Sequence, residues 1–285
     1  MTITAATSLT AAGGLDLLTW PALNGVAVTT SAGGVSAGPY ESLNLSLAVG
    51  DDPGNVMENR RRLAAALGAG PADFVFARQV HGADVHVVTD ADRGRGAFDT
   101  AAAPEADALV TNTPGIILAI LAADCVPIVL LDPDARVLAC VHAGWRGTVA
   151  RAAAAAVAAM VALGARPQNM IAGIGPAIAP ASYQVGAEVK QAAERTLGSP
   201  AAAGFGRPDG TGRWLFDLPA ANRLILREAG VPDAQILTTP EITGLPGALL
   251  PRGDDPPRPP RGNFFSDRAA RPCGRHALVA RLGES

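Results

Sequence analysis

The sequence predicts an α+β fold, and three observations carry that prediction. Hydrophobic residues make up 48% of the chain and charged residues only 17%, the balance of a globular protein with a large core. Several short segments are continuously apolar, as strands buried on both faces must be. Between them lie longer segments that open on Asp or Pro and close on Gly, the boundaries of helices.

Taken in order, residues 1–14 are small, polar and glycine-ended, and read as a loose tail ahead of a single catalytic domain over 15–285. Residues 26–30 form a short β-like run, followed by a glycine-bearing loop over 31–46. Helix is predicted over 53–67, with Asp51 or Asp52 as cap, Pro53 in the first turn and Gly68 at the end. Its Arg60-Arg61-Arg62 run reads as a solvated face. Strands are predicted at 74–77, 85–88, 108–111, 116–121, 128–131 and 137–141. The turn at 144–148 leads into one long helix reaching about residue 163, and a strand at 170–174 runs into a Gly175-Pro176 turn. Helices follow over 185–197 and 217–230, the second capped by Asp217. Residues 246–261 are rich in Pro, Arg and Gly and read as an exposed loop, before a closing segment over 263–282.

Composition also excludes classes. The net charge is −3, and Lys190 is the single lysine, so no basic stripe exists to follow a nucleic-acid backbone. Anions would have to be held by arginine forks or backbone N–H groups. No apolar run reaches the ~20 residues that span a bilayer, and residues 1–18 lack the pattern of a secretory signal. Three unevenly spaced cysteines argue against a disulfide framework. These features point to the cytoplasm.

His81, Cys125 and His142 draw attention because the chain has only four histidines and three cysteines. Each of the three sits in a tight polar context: Gln79-Val80-His81-Gly82, Ala123-Asp124-Cys125-Val126-Pro127, and His142-Ala143-Gly144-Trp145-Arg146-Gly147-Thr148. Two imidazoles and a thiolate suit zinc with a fourth position left open, and bound water then has a pKa near ~7. The wide spacing implies a preformed fold that brings strand ends together, unlike the short paired spacings of a zinc finger. On residues alone, packed core side chains remain the alternative reading of Cys125 and His142. Arg146 and the helix-opening turn beside it offer an anion site, and Gly173-Ile174-Gly175-Pro176 a second place where backbone approaches a ligand. Cys140 reads as core and His86 as exposed. Cys273 and His276 have a Cys-x-x-His spacing without a second pair.

At these residues the chain resembles the laccase-domain family, described both as multicopper polyphenol oxidases and as zinc-dependent purine nucleoside phosphorylases with adenosine deaminase and methylthioadenosine phosphorylase activities. The matching motifs run in order. They are Gly33-Gly34-Val35-Ser36, Leu43-Asn44-Leu45, Val49-Gly50-Asp51-Asp52 with Glu58-Asn59-Arg60, the His81 motif, Ala106-Asp107-Ala108-Leu109-Val110-Thr111, the Cys125 and His142 motifs, and Gly175-Pro176-Ala177-Ile178. The resemblance implies mixed β-sheets packed as a sandwich with flanking helices, kin to a cysteine-hydrolase-like superfamily. It implies zinc at His81, Cys125 and His142; copper, which outcompetes zinc at most sites, is an adventitious substitute. The substrates it implies are phosphate and purine nucleosides: adenosine, inosine, guanosine and methylthioadenosine. Asn44, Gln79, Asp124 and Arg146 are assigned to substrate binding. The chain departs from the family pattern at Ser31, usually Arg, at Ser182, usually Cys, in Asp267-Arg268-Ala269-Ala270 where an aromatic and basic run is usual, and in the insertion over 246–261. Alternative readings are a cysteine hydrolase acting on cell-wall peptide amides through Cys125 and His142, with Asp124 or Asp107 nearby, a copper-dependent phenol oxidase, and a zinc-stabilised binding protein without turnover.

Overall fold

A computed structural model describes residues 7–198, 206–210, 212–244 and 263–283. The chain opens with strands β1 (Ser8–Ala12), β2 (Leu15–Thr19) and β3 (Val26–Thr29), then helix α1 (Pro53–Ala66). Strands β4 (Phe74–Phe76), β5 (Val85–Val87), β6 (Ala108–Thr111), β7 (Ile117–Ala122), β8 (Val126–Asp132) and β9 (Val137–Ala143) follow. Helices α2 (Trp145–Val149) and α3 (Ala152–Ala162) lead to β10 (Ile171–Ile174), β11 (Ala177–Ile178), β12 (Gln184–Val185) and helix α4 (Ala187–Leu197). The remainder is β13 (Gly206–Pro208), β14 (Trp214–Phe216), helix α5 (Leu218–Glu228), β15 (Ile236–Thr238), β16 (Ile242–Thr243) and β17 (His276–Arg281).

Two six-stranded mixed sheets dominate, ordered β1-β2-β3-β17-β7-β4 and β15-β10-β8-β9-β6-β5. Strands β4 and β7, β5 and β6, and β10 and β15 pair in parallel; the other pairings within these sheets are antiparallel. The sheets face each other through Val28, Leu118, Ile120 and Leu278 on one side and Val129, Leu138 and Cys140 on the other. The alternate residues of β8 and β9, including Ile128, Leu130, Ala139 and Val141, pack outward against Ala153, Met160 and Ile225 of the helices. On the far side, Phe74, Ala119 and Val279 pack under Leu63 and Ala64 of α1. The layers therefore run helix, sheet, sheet, helix. Central strands covered on both faces have no polar side to show, which is why they read as unbroken apolar runs.

Helix starts follow their sequence signals. Asp52 Oδ1 accepts hydrogen bonds from the Gly54 and Asn55 N–H groups at 2.7 and 3.2 Å, and Asp217 Oδ1 accepts from Ala220 N–H at 2.9 Å. Other expectations are corrected. Residues 8–12, read as part of a loose tail, form β1 against β2. The long helix expected to reach residue 163 is two helices, because Arg151 adopts a left-handed φ of 62° between them. The break lets α2 pack on α4 and α5 while α3 lies along β6 and β9. Arg60 is buried, not solvated: its guanidinium donates to the carbonyls of Leu45, Gly96 and Ala97 and lies 3.9 Å from the Phe76 ring centre. His86 is half-buried, bonded through Nε2 to Asp92 at 3.0 Å. The expected loop over 246–261 lies outside the described residues. Among those described, no helix is long and apolar enough to cross a membrane.

Candidate metal centre

Sheet register brings the trio together. In the β8–β9 hairpin Pro127 pairs with His142 and Val126 with Ala143, so Cys125 and Gly144 flank each other at the open end. His142 thus lies within β9, which continues past the end predicted for it. His81 comes from the turn between β4 and β5 and holds a left-handed φ of 61°; Asp124, directly before Cys125, holds 84°. Such values are uncommon for side-chain-bearing residues and concentrate at functional turns. The donor atoms of His81, Cys125 and His142 all lie within 4.8 Å of one another. The two imidazoles meet edge to face with ring centres 4.9 Å apart.

Asp107, fully buried beside β6, organises this geometry. Its carboxylate accepts from the N–H groups of Val80, His81 and Gly82 at 3.2, 3.0 and 2.6 Å. Its Oδ1 also lies 2.8 Å from His142 Nδ1. One carboxylate therefore shapes the His81 turn and fixes the His142 ring, leaving Nε2 of His142 free to ligate. Burial opposes its ionisation, but the His142 and Gly82 hydrogen bonds outweigh that and hold it below the usual carboxylate range. For Cys125, burial pushes the thiol up, yet the adjacent His142 charge and hydrogen bonds from both imidazoles bring it below its ordinary value. His142 moves the other way: burial disfavours its charge, but Cys125 and then Asp107 raise it. A site that favours thiolate and has one imidazole braced by a carboxylate suits zinc or another thiolate-accepting cation. The residues therefore fit a metal ion.

The centre lines a cavity of about 550 Å³, within the range of small-molecule sites. Arg78, Arg146, Arg268, Arg271 and Arg275 line it, with the rings of Trp145 and Tyr183. Arg146 is exposed in the cavity, its guanidinium 4.3 Å from the Trp145 ring centre. Gln79 also lines the cavity, but its amide is spent on both backbone groups of Leu121, at 2.7 and 2.8 Å. Asp124 forms part of the wall, with its carboxylate accepting from Thr243, Ser266 and the Arg268 N–H. Asn44 stands behind the wall, fully buried. Its amide bonds Asp51 and the backbone of Ser46 and Arg275. Gly173 and Gly175 do not face a ligand: a Cβ there would meet Leu23 and Val129, or Pro127, at under 3 Å. Cys273 and His276 join no ligand group among the described residues. Sequence reasoning passed over Tyr183 and Arg275 as site residues, and offered Asp107 only as one of two acids near the Cys125 and His142 pair of the amidase reading. The one available signal was a lone acid at the head of the apolar run 108–111.

Fold and site together define an α+β protein with a His-Cys-His group in the wall of an arginine-rich cavity. The chain belongs to the multi-copper polyphenol oxidoreductase laccase family, which matches residues 25–282. It is 49% identical over 234 residues to a purine nucleoside phosphorylase of Deinococcus radiodurans, covering 78% of this chain and 82% of that one. It is 41% identical over 205 residues to the adenosine deaminase RL5 of an unknown prokaryotic organism, covering 70% and 76%. The crystal structure of YlmD from Geobacillus stearothermophilus superposes with a TM-score of 0.86 at 36% identity, covering 98% of this chain and all of that one.

Proposed function

We propose that the protein is a zinc-dependent purine nucleoside phosphorylase of the cytoplasm, acting with phosphate on adenosine, inosine, guanosine and methylthioadenosine, with adenosine deamination as a second reaction of the same site. The observation that carries this reading is that His81, Cys125 and His142 converge in the wall of an arginine-lined cavity. The names of the relatives support the substrate class.

In phosphorolysis a phosphate oxygen bonds to C1′ of the ribose as the C1′–N9 bond breaks. The bonding pair leaves with the purine, which takes up a proton. Positive charge develops on the sugar, and the anion beside it compensates. Arg146 and Arg268 hold that anion by charge-assisted forks, and the rings of Trp145 and Tyr183 offer apolar faces to the base. The Tyr183 hydroxyl is pushed up to about 12 by burial and by the Cys125 charge, so it keeps its proton at neutral pH and can donate it in a hydrogen bond. Bound zinc supplies Lewis-acid polarisation and lowers the pKa of coordinated water.

A second reading rests on the low thiol of Cys125 beside His142 and Asp107, the arrangement of a cysteine amidase. An assay separates the two. Metal-quantified protein is incubated with adenosine or inosine, with and without phosphate, as wild type and Cys125→Ala. Phosphate-dependent release of adenine and hypoxanthine is expected, lost with the metal in the variant by at least ~100-fold. Inosine formed from adenosine without phosphate would leave the deaminase alone. Absence of any nucleoside turnover, with amide hydrolysis that survives a chelator, would replace this reading with the amidase.

A further inference from the structure

Most guanidinium groups around the cavity are already partnered. Arg78 pairs with Glu105 outside the metal centre, and Arg268 donates to the Gln184 carbonyl. Arg146 has no ion-pair partner among the described residues. Arg271 and Arg275 differ from all of these, because they share one carboxylate that itself lines the cavity. Asp267 pairs through Oδ2 with Arg271 and through Oδ1 with Arg275 at 3.2 Å.

We propose that Asp267 is a specificity-determining residue that occupies a second anion position in the cavity, formed by Arg271 and Arg275, and so weakens the protein's hold on phosphate-bearing ligands. An incoming phosphate oxygen would use the same N–H groups that Asp267 now accepts from. It would also enter beside a fixed negative charge. Removing the carboxylate leaves the position built. Arg275 Nη1 is held independently by the Cys273 and Gly274 carbonyls at 3.0 and 3.1 Å, and Arg271 Nε by the Asp267 backbone carbonyl at 3.3 Å. Backbone acceptors cannot neutralise the guanidinium charges, so both charges are then free to meet a ligand. The ion pair is itself partly exposed, 27% at Asp267 and 78% at Arg271, and such pairs contribute little to stability. Substitution at Asp267 is therefore expected to leave the fold intact. That the natural anion is inorganic phosphate rests on the phosphorylase reading; the masking of an anion position does not.

The test is direct titration of the metal-loaded protein with inorganic phosphate, followed calorimetrically, for wild type, Asp267→Ala and Asp267→Asn. Both variants are expected to bind phosphate about fivefold more tightly, the effect of removing one like charge at close range in a partly hydrated site. Their melting temperatures and metal contents should match the wild type. Unchanged phosphate affinity in both variants would overturn the proposal. Weaker binding would also overturn it, by showing that Asp267 positions the arginines for the anion rather than competing with it. Nucleoside turnover in the same samples reports separately on the reaction. Tighter phosphate binding without phosphorolysis in any sample would leave the role of Asp267 standing and remove the phosphorylase reading.

Discussion

Gly144 shows how closely the candidate metal centre is fitted to single residues. A Cβ at this position would stand 2.8 Å from Cys125 Sγ and 3.3 Å from His81 Cδ2. Its φ of −73° is open to any residue, so the requirement is for space and not for backbone freedom. Gly144→Ala is expected to weaken metal binding by about tenfold or more while every ligand remains. Metal content after dialysis against a competing chelator reads the loss, and an unchanged circular dichroism spectrum identifies it as local. Full metal occupancy under the same conditions would show that Cys125 can retreat. The trio itself was legible because histidine and cysteine are scarce in this chain. The need for glycine at 144 was legible only as a turn, since the atoms it makes room for come from positions 81 and 125.

Among the elements, β17 carries a conflict that sequence could not reveal. His276 points into the layer between the sheets, completely buried, with its ring 5.4 Å from that of Phe264. Neither ring nitrogen has a hydrogen-bond partner among the described residues. Burial, and then the neighbouring Arg275 charge, lowers its pKa to about 3. The folded protein therefore holds a neutral imidazole, while the unfolded chain takes up a proton near its ordinary 6.5. The stability it contributes is complete above about pH 6.5 and is lost as the pH falls towards 3. At pH 4.5 the loss approaches about 2–3 kcal/mol. His276→Met removes this titration, so the stability of the variant relative to wild type should rise by that amount from pH 7 to pH 4.5 in denaturant melts. Parallel pH profiles would show that His276 is protonated or solvated in the native state. From the sequence, the same residue read only as half of an incomplete Cys-x-x-His pair. Strands and helix caps fared better, because Asp52 and Asp217 act within their own first turn. The Arg151 break and the buried Arg60 depend on packing between distant segments, and no local pattern announces them.

For the whole molecule, the candidate metal centre is a junction of three parts of the chain: the His81 turn, the β7–β8 turn carrying Cys125, and β9. Sequence order and motif spacing pointed to this junction, and the paired sheets were legible from continuous apolar strands. The device that closes it, Asp107 bonded to three successive N–H groups and to His142, was not, because those partners lie 25–35 positions away. That device determines what metal removal should do. In a zinc finger the ion supplies the folding energy, and the apo chain is unfolded. Here the junction is already joined by hydrogen bonds and lies on two sheets that share an apolar layer. Stripping the metal should therefore leave the protein folded but less stable, by RT ln(1 + [L]/Kd), about 4 kcal/mol at thousandfold saturation. For a chain of this size that corresponds to a fall in melting temperature of about 10 °C, restored by adding zinc. Calorimetry of wild type and Asp107→Asn, each with and without chelator, checks the argument. Asp107→Asn cannot accept from the three N–H groups and His142 as a carboxylate does, so its metal-dependent rise should shrink even though all three ligands are present. A wild type that unfolds at room temperature on chelation would mean that the ion, and not Asp107, holds the junction together.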